Sequence, residues 1–307
     1  MKKLPIIIDC DPGTDDAAAL MLLHKHKNLF DVKLISSCSG NLGIDVTTNN
    51  ACFFAKNFFN NVPVSKGYGK PLVLTFEAEA SDVHGVGGLG NYNITKQDYP
   101  ILPNASHIEM SKILKESKEQ ITIISIGPMT NIALLLSEFP EVKSKIKQIY
   151  CMIGSIEGKG NIKPYAEFNA FYDPHAFKIV SESGIPLILN TMEVGKNTCL
   201  KKTAIEENFG NSACHQMLKD IILGLNEPDD PTIVRLFDAN TALALIKPDL
   251  FDFIPCDVEV STKKDSFGQC FCKKNPKAKN YYQVVKDFEA TKKYILDELA
   301  QIQTNPK

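Results

Sequence analysis

The sequence LPIIIDCDPGTDDAAAL, residues 4–20, joins a short apolar run to a cluster of aspartates. Leu4–Ile8 is typical of a buried strand. Pro12-Gly13 indicates a turn, and the alanine-rich stretch that follows Asp15 and Asp16 predicts a helix. The segment therefore predicts a strand that turns directly into a helix.

Four carboxylates in this segment fall within eight positions, namely Asp9, Asp11, Asp15 and Asp16. Acidic residues in a first helical turn are favoured by the helix dipole, which explains Asp15 and Asp16 without any function. The dipole does not explain Asp9 and Asp11 on the strand side of the turn. Because like charges repel, the cluster predicts a hard divalent cation with oxygen ligands.

The composition indicates an ordinary globular protein of 307 residues with a net charge of −2. The charge does not favour a nucleic-acid or membrane-surface partner, and no apolar stretch reaches transmembrane length. No linker or repeat divides the chain, so we expect one domain over residues 1–307. No signal peptide is evident, and nine cysteines without a Cys-x-x-Cys pair predict buried free thiols in a reducing cytoplasm. Strand alternation would place Cys270 and Cys272 on one face.

Apolar runs alternate with helical patterns along the whole chain. Strands are predicted at Leu4–Ile8, Val32–Ser37, Ile121–Ile126, Gln148–Ile153, Pro186–Leu189 and Cys256–Val260. Helices are predicted to begin near Asp15, Asp45, His107, Met129, Asp173, Ala204, Asp238 and Asp287. This alternation predicts an α/β fold with a mostly parallel twisted sheet and helices on both faces.

Ligands of such sheets bind beyond the carboxyl ends of the strands. Carboxylates and carboxamides dominate the segments that follow the predicted strands, in Asp11–Asp16, Ser39–Asn41, Gly127–Asn131, Asn161–Asn169 and Leu236–Asp238. No Ser/His/Asp triad is evident there. These side chains suit a metal ion together with a polyhydroxylated ligand such as a sugar.

The same segments resemble the inosine-uridine preferring nucleoside hydrolase family. The resemblance begins with DCDPGTDD, residues 9–16, and continues in family order through SGN, residues 39–41, GPMTNIA, residues 127–133, and AEFN, residues 166–169, followed by Asp173-Pro174. It ends with the helix at Asp238 and so spans nearly the whole chain.

The resemblance implies a role for individual residues. It implies a Ca²⁺ held by the carboxylates of Asp11, Asp16 and Asp238 and by the backbone carbonyl of Ile126. It implies that Asp11 is also the general base for the attacking water and that Asn41 lies near this water. The substrate-binding positions that it implies are Asp15 and Asn169 at the ribose hydroxyls, Asn161 and Glu167 on the 5′ side, and Asp238.

The sequence departs from the family pattern where the leaving base is handled. Many members have a histidine before the aspartate that matches Asp238, but this chain has Phe237, which can stack on a base and cannot protonate it. His84, in the glycine-rich segment Asp82–Gly90, matches a residue near the base. A second candidate loop beside that segment, Gly224–Leu236, contains Arg235, the only arginine of the chain. His84 and Phe237 are therefore the candidate residues at the nucleobase.

The resemblance implies Ca²⁺-dependent hydrolysis of ribonucleosides to ribose and free base, in purine and pyrimidine salvage, by a cytoplasmic homodimer or homotetramer. Carboxylates and amide oxygens suit this reaction because its transition state resembles a ribosyl cation. Two alternatives remain open at this point. Asp9-x-Asp11 after a strand superficially resembles the haloacid-dehalogenase-type phosphatases, and Phe237 would suit a ribonucleoside- or calcium-binding protein without turnover.

Overall fold

A computed structural model describes residues 2–75 and 79–302. Its strands are β1 (Leu4–Cys10), β2 (Phe30–Ser37), β3 (Val64–Lys66), β4 (Ile101–Leu102), β5 (Ile121–Ser125), β6 (Ile146–Met152), β7 (Leu187–Asn190), β8 (Leu200–Lys201), β9 (Ile233–Val234), β10 (Phe251–Val260), β11 (Cys270–Lys274) and β12 (Asn280–Val285). Its α-helices are α1 (Thr14–Lys25), α2 (Ile44–Phe58), α3 (Ser81–His84), α4 (Ser106–Glu116), α5 (Thr130–Glu138), α6 (Phe168–Tyr172), α7 (Pro174–Ser181), α8 (Met192–Asn197), α9 (Lys202–Asn208), α10 (Ala213–Leu223), α11 (Phe237–Ile246) and α12 (Phe288–Ala300). Short 3₁₀ helices occupy Pro140–Lys145, Pro248–Leu250 and Lys264–Ser266.

Ten strands of the described residues form one sheet in the order β11-β10-β12-β7-β6-β5-β1-β2-β3-β4. The pairings from β12 to β4 are parallel, and β10 pairs in antiparallel fashion with β11 and β12. The short strands β8 and β9 pair separately. The predicted single α/β domain with a mostly parallel sheet is therefore confirmed.

Strand β1 lies between β2 and β5 in the middle of the sheet, and helices cover both of its faces. Ile6 and Ile8 pack into a core with helices α1, α2, α10, α11 and α12. Ile7 points to the opposite face, into a core with α4, α5 and α7. Successive residues of a strand alternate between faces, so a continuous apolar run is what this position requires.

The predicted strands correspond to β1, β2, β5, β6, β7 and β10, and each predicted helix start lies within two residues of a helix in the structure. Cys270 and Cys272 are buried on β11 while Phe271 between them is half-buried, which confirms the expected shared face. None of the helices in the described part of the chain has both the length and the apolar character needed to cross a membrane.

Candidate active site

A cavity of about 510 Å³ opens beyond the carboxyl ends of the central parallel strands. Nine of the site residues predicted from the sequence line it: Asp15, Asn41, His84, Ile126, Asn161, Glu167, Asn169, Phe237 and Asp238. The other two, Asp11 and Asp16, have no solvent exposure and lie directly behind its wall. A nucleoside-sized ligand fits a cavity of this volume.

The first turns of helices α1 and α11 bring three carboxylates together. Asp15, Asp16 and Asp238 each offer an oxygen within 4.8 Å of the other two. The backbone N–H of Asp238 also donates to the Asp15 carboxylate. Helix N-termini favour negative charge, so two converging helix ends help to tolerate this cluster.

One carboxylate oxygen of Asp11 accepts a hydrogen bond, and the other has no hydrogen-bond partner in the described part of the chain. Its Oδ2 accepts a hydrogen bond of 2.7 Å from the backbone N–H of Asn41, while its buried Oδ1 has no partner among the described residues. The carboxylate fits only because its neighbours are glycines. A Cβ at Gly40 would lie 2.1 Å from Oδ2, and one at Gly127 would lie 2.5 Å from Oδ1.

Asp16 closes the loop between β1 and α1. It accepts hydrogen bonds from the backbone N–H of Asp11 at 3.2 Å and of Gly13 at 3.0 Å. The Asn41 side-chain amide donates both to Asp16, at 3.0 Å, and to the Asp11 carbonyl, at 3.2 Å. Asn41 therefore fixes the Asp11 and Asp16 carboxylates relative to one another, which explains the Ser39-Gly40-Asn41 motif.

Burial and mutual repulsion make this cluster costly without a cation. Burial is the main cause that raises the pKa of Asp15 to about 8 and of Asp16 to about 6, and it raises the pKa of Asp11 and Asp238 well above the usual range. Among the described lysines and the arginine, none forms an ion pair with these groups. Oxygen donors only, with an unpartnered buried oxygen on Asp11, are a set that suits a hard divalent cation.

The three carboxylates that meet differ by one residue from the three that the family resemblance assigns to the metal. The resemblance implies Asp11, Asp16 and Asp238 at the ion and Asp15 at the ribose, whereas the structure groups Asp15 with Asp16 and Asp238. The unpartnered oxygen of Asp11 faces Gly127. The predicted carbonyl ligand, Ile126, follows β5 and borders the cavity.

Asp9 has a structural environment and is not a nucleophile. Its Oδ1 accepts hydrogen bonds from the Ser36 hydroxyl at 2.5 Å and the Asn131 amide at 2.8 Å, and it does not line the cavity. Burial raises the pKa of Asp9 to about 6. The phosphatase alternative needs an accessible first aspartate and is therefore wrong.

Glu167, Asn169 and Asn161 form the wall opposite the acidic cluster. Glu167 is the N-cap of α6, and its carboxylate accepts from the backbone N–H groups of Gly154, Asn169 and Ala170 at 2.8–3.1 Å. Burial nevertheless raises its pKa to about 7. Asn169 donates its amide to the Met152 carbonyl at 3.0 Å, and Asn161 accepts from the Phe168 N–H at 2.9 Å. Asn169 thus keeps an acceptor for a ligand, and Asn161 keeps a donor.

His84 is a buried residue at the end of α3, within the glycine-rich segment Asp82–Gly90. Its Nδ1 accepts from the Thr14 backbone N–H at 3.2 Å and lies 2.7 Å from the Thr14 hydroxyl. Because a backbone N–H can only donate, Nδ1 must be an acceptor, and the neutral ring carries its proton on Nε2. Burial lowers the pKa of His84 to about 4, which favours this neutral form.

Arg235 and Phe237 border the other end of the cavity together with Glu227, a buried acidic residue that sequence reasoning did not select. Arg235 donates to Glu227 at 2.7 Å and forms a bidentate pair with Asp229 at 2.6 and 2.8 Å. The guanidinium is thus committed to its own loop. A signal was present in the sequence, because the only arginine of the chain follows three acidic residues, Glu227, Asp229 and Asp230, in a candidate loop.

Comparisons with known proteins agree with this geometry. The profile of the inosine-uridine preferring nucleoside hydrolase family matches residues 6–294. The chain is 32% identical over 261 residues to a non-specific ribonucleoside hydrolase, RihC, of Escherichia coli, and 85% of each chain is covered. Its fold is similar to a plant nucleoside hydrolase, PpNRh1 (TM-score 0.90, 24% identity, 98% of this chain and 100% of that one), and to a purine-preferring ribonucleoside hydrolase from Gardnerella vaginalis (0.87, 21%, 96% and 98%).

Proposed function

The chain belongs to the inosine-uridine preferring nucleoside hydrolase family and is a ribonucleoside hydrolase, and from this premise we propose a Ca²⁺-dependent cleavage of ribonucleosides to ribose and free base, in purine and pyrimidine salvage. One observation carries the proposal: the buried Asp11 has an unpartnered oxygen directly behind a cavity lined by carboxylates and carboxamides. Family membership favours turnover over the alternative of a binding protein without activity.

The residues that would hold Ca²⁺ are Asp11, Asp16 and Asp238 with the carbonyl of Ile126, and the proximity of Asp15 makes it a further candidate. When bound, the ion would polarise a water molecule and orient the sugar hydroxyls. A bound ion would also keep these buried carboxylates ionised although burial raises their pKa values.

Asp11 is the proposed general base. Its Oδ2 is fixed by the Asn41 N–H, so its Oδ1 is free to accept the proton of the attacking water. Asn41 is assigned to positioning because its amide bridges Asp11 and Asp16. The negative potential of the cluster also stabilises the cationic ribosyl transition state.

Ribose recognition is assigned to Asp15, Asn169 and Asp238, and the 5′-hydroxyl to Asn161 and Glu167. Backbone contacts orient Glu167 and Asn169 in advance of substrate binding, which lowers the entropic cost of reaching the transition state. Polar side chains that hydrogen-bond ribose hydroxyls discriminate against analogues that lack these groups, because the side chains are then left unpaired.

Departure of the base is assigned to His84 and Phe237. His84 keeps a proton on Nε2 and donates a hydrogen bond to the leaving base, because Thr14 occupies Nδ1. Phe237 borders the cavity and offers a ring for contact with the base. The pair therefore replaces the histidine that many family members have at position 237.

A cytoplasmic location and a homodimer or homotetramer complete the proposal. Buried free thiols such as Cys10, Cys38 and Cys151 are in keeping with a reducing compartment. The oligomeric state follows from the family resemblance alone.

The test is hydrolysis of inosine, adenosine, guanosine, uridine and cytidine, followed by chromatography of the released base, with nitrophenyl riboside as a substrate that needs no leaving-group acid. We expect ribonucleosides to be cleaved and 2′-deoxynucleosides to be poor substrates. Equal rates on deoxyinosine and inosine would contradict the ribose site. No release of base from any ribonucleoside, with nitrophenyl riboside also inert, would contradict the reaction.

A further inference from the structure

Helix α8 packs against the Phe237 ring at Gly195, a residue without a side chain. Gly195 is buried in α8, and a Cβ built on it would lie 2.1 Å from Cδ1, 2.7 Å from Cε1 and 2.9 Å from Cγ of Phe237. Atoms this close overlap, so the ring fills the space that any side chain at position 195 would need. Glycine is also a poor helix former, and its presence within α8 is explained by this contact.

The backbone of Phe237 is fixed from the other side by a buried amide network. The Asn190 side chain donates to the Phe237 carbonyl at 2.6 Å and to the Thr241 hydroxyl at 2.9 Å. Gln283 in turn donates to Asn190 at 3.1 Å. Asn190, Thr241 and Gln283 are at most 1% exposed, so the first turn of α11 has little freedom to shift.

The ring is consequently held between α8 and the cavity. Phe237 is only half-buried, and its remaining surface borders the cavity. A side chain at position 195 would displace the ring. Because the backbone of Phe237 is fixed, the ring would then have to rotate into the cavity. The size of residue 195 thus controls how far the ring projects into the cavity.

We propose that Gly195 is a specificity-determining residue, which keeps the Phe237 ring back so that the cavity admits a bicyclic purine beside it. The inference rests on the proposed function. A purine needs more room at this wall than a monocyclic pyrimidine. Gly195 touches the ring and not the substrate, so its effect passes entirely through Phe237.

The experiment measures kcat and KM of Gly195→Ala for inosine and uridine. We expect KM for inosine to rise about 10-fold or more, the scale of a small steric change in a substrate pocket, because the displaced ring takes room that the bicyclic base needs. The change for uridine should be smaller, so that the inosine-to-uridine ratio of kcat/KM falls. Asn197→Ala, an exposed change in the same helix, is the matched control and should keep the wild-type ratio.

A second pair of variants tests the route through the ring and covers a failure of Gly195→Ala to fold. Alanine at position 237 lacks Cγ, Cδ1 and Cε1, the three atoms that a Cβ at position 195 would meet. Phe237→Ala and Phe237→Ala/Gly195→Ala should therefore share one melting temperature and one inosine-to-uridine ratio. The inference is overturned if Gly195→Ala keeps the wild-type ratio, or if Gly195→Ala changes the ratio when residue 237 is alanine. Inactivity of the wild-type protein on every ribonucleoside would instead overturn the proposed function, so the two failures are distinguishable.

Discussion

Asp9 and Asp11 are two buried aspartates, one within β1 and one just after its end, yet their carboxylates have different surroundings. Each has one oxygen that accepts hydrogen bonds and one that has no partner among the described residues. Asp9 is bonded to Ser36 and Asn131 within the sheet, whereas Asp11 is bonded to Asn41, which lines the cavity. The place of the carboxylate relative to the cavity therefore separates a structural from a catalytic role, and burial or a missing partner does not.

Asp11→Asn should lower kcat by about 10²–10⁴-fold, because the amide removes a general base with little change of shape. The measurement is steady-state kinetics on inosine with the divalent ion content checked. Asp9→Asn is the matched control, and we expect it to lower the melting temperature more than it lowers kcat. Wild-type kcat in Asp11→Asn with the ion retained would remove Asp11 from the mechanism.

His84→Ala should lower kcat on natural nucleosides far more than kcat on a substrate with an activated leaving group. Loss of the Nε2–H donor should reduce kcat on inosine by about 10²–10³-fold, the range measured for single transition-state hydrogen bonds. Nitrophenyl riboside needs no help at its leaving group, so its kcat should stay near the wild-type value. A parallel loss on both substrates would mean that His84 serves to hold the site together through Thr14.

At the scale of elements, the shape of the cavity depends on contacts between the segments whose residues line it. The residues around His84 pack against the end of α10: the Asn91 N–H donates to the Asp220 carbonyl at 3.0 Å, and the Asn226 N–H donates to the Val83 carbonyl at 2.9 Å. Gly90 lies at this contact with a φ of +58°, and a Cβ there would lie 2.4 Å from the Ile221 carbonyl oxygen.

Gly90→Ala should therefore move the His84 segment away from α10. The left-handed backbone alone costs an alanine about 1–2 kcal/mol, and the clash adds to this. We expect kcat/KM to fall about 10-fold or more, with faster hydrogen exchange in residues 81–92. Gly87→Ala is the control in the same segment, because a Cβ at Gly87 meets nothing within 4 Å. Equal kinetics for the two variants would show that this contact does not matter for activity.

Elements with long apolar runs were predictable, and short or mixed ones were not. The continuous run of β1 and the caps of α12 carry enough local signal to be recognised. Strands β11 and β12 escaped prediction because CFCKK and NYYQVV mix apolar with polar residues, and their place in the sheet comes from pairing with β10. Helix α3 is four residues long and is stabilised by tertiary contacts of His84, which no local pattern reveals.

At the scale of the whole molecule, the sheet order brings together chemistry from opposite ends of the chain. Asp15 and Asp16 begin α1, and Asp238 begins α11, which packs beside it. The local sequence predicted acidic helix starts, but only the family resemblance linked Asp238 to the first motif. The closeness of Asp15 to Asp238 could not be predicted from the sequence, because their distance is set by the packing of two helices.

A fold that buries four acidic residues at one cavity should depend on a cation for its stability. Removing divalent ions with a chelator should lower the melting temperature, and adding Ca²⁺ should restore it, because an ion that binds only the folded state contributes about 2.7 kcal/mol at 100 times its Kd. For a protein of this size that corresponds to roughly 4 °C, because the entropy of unfolding is about 2.1 cal/mol/K per residue. Differential scanning calorimetry of the chelated protein with and without Ca²⁺ measures the shift. Asp238→Asn removes one charge of the cluster, and it should reduce the Ca²⁺-dependent shift. A melting temperature that responds to neither chelator nor any divalent ion would show that the carboxylates are held by the protein alone, and the proposed ion would have to be abandoned.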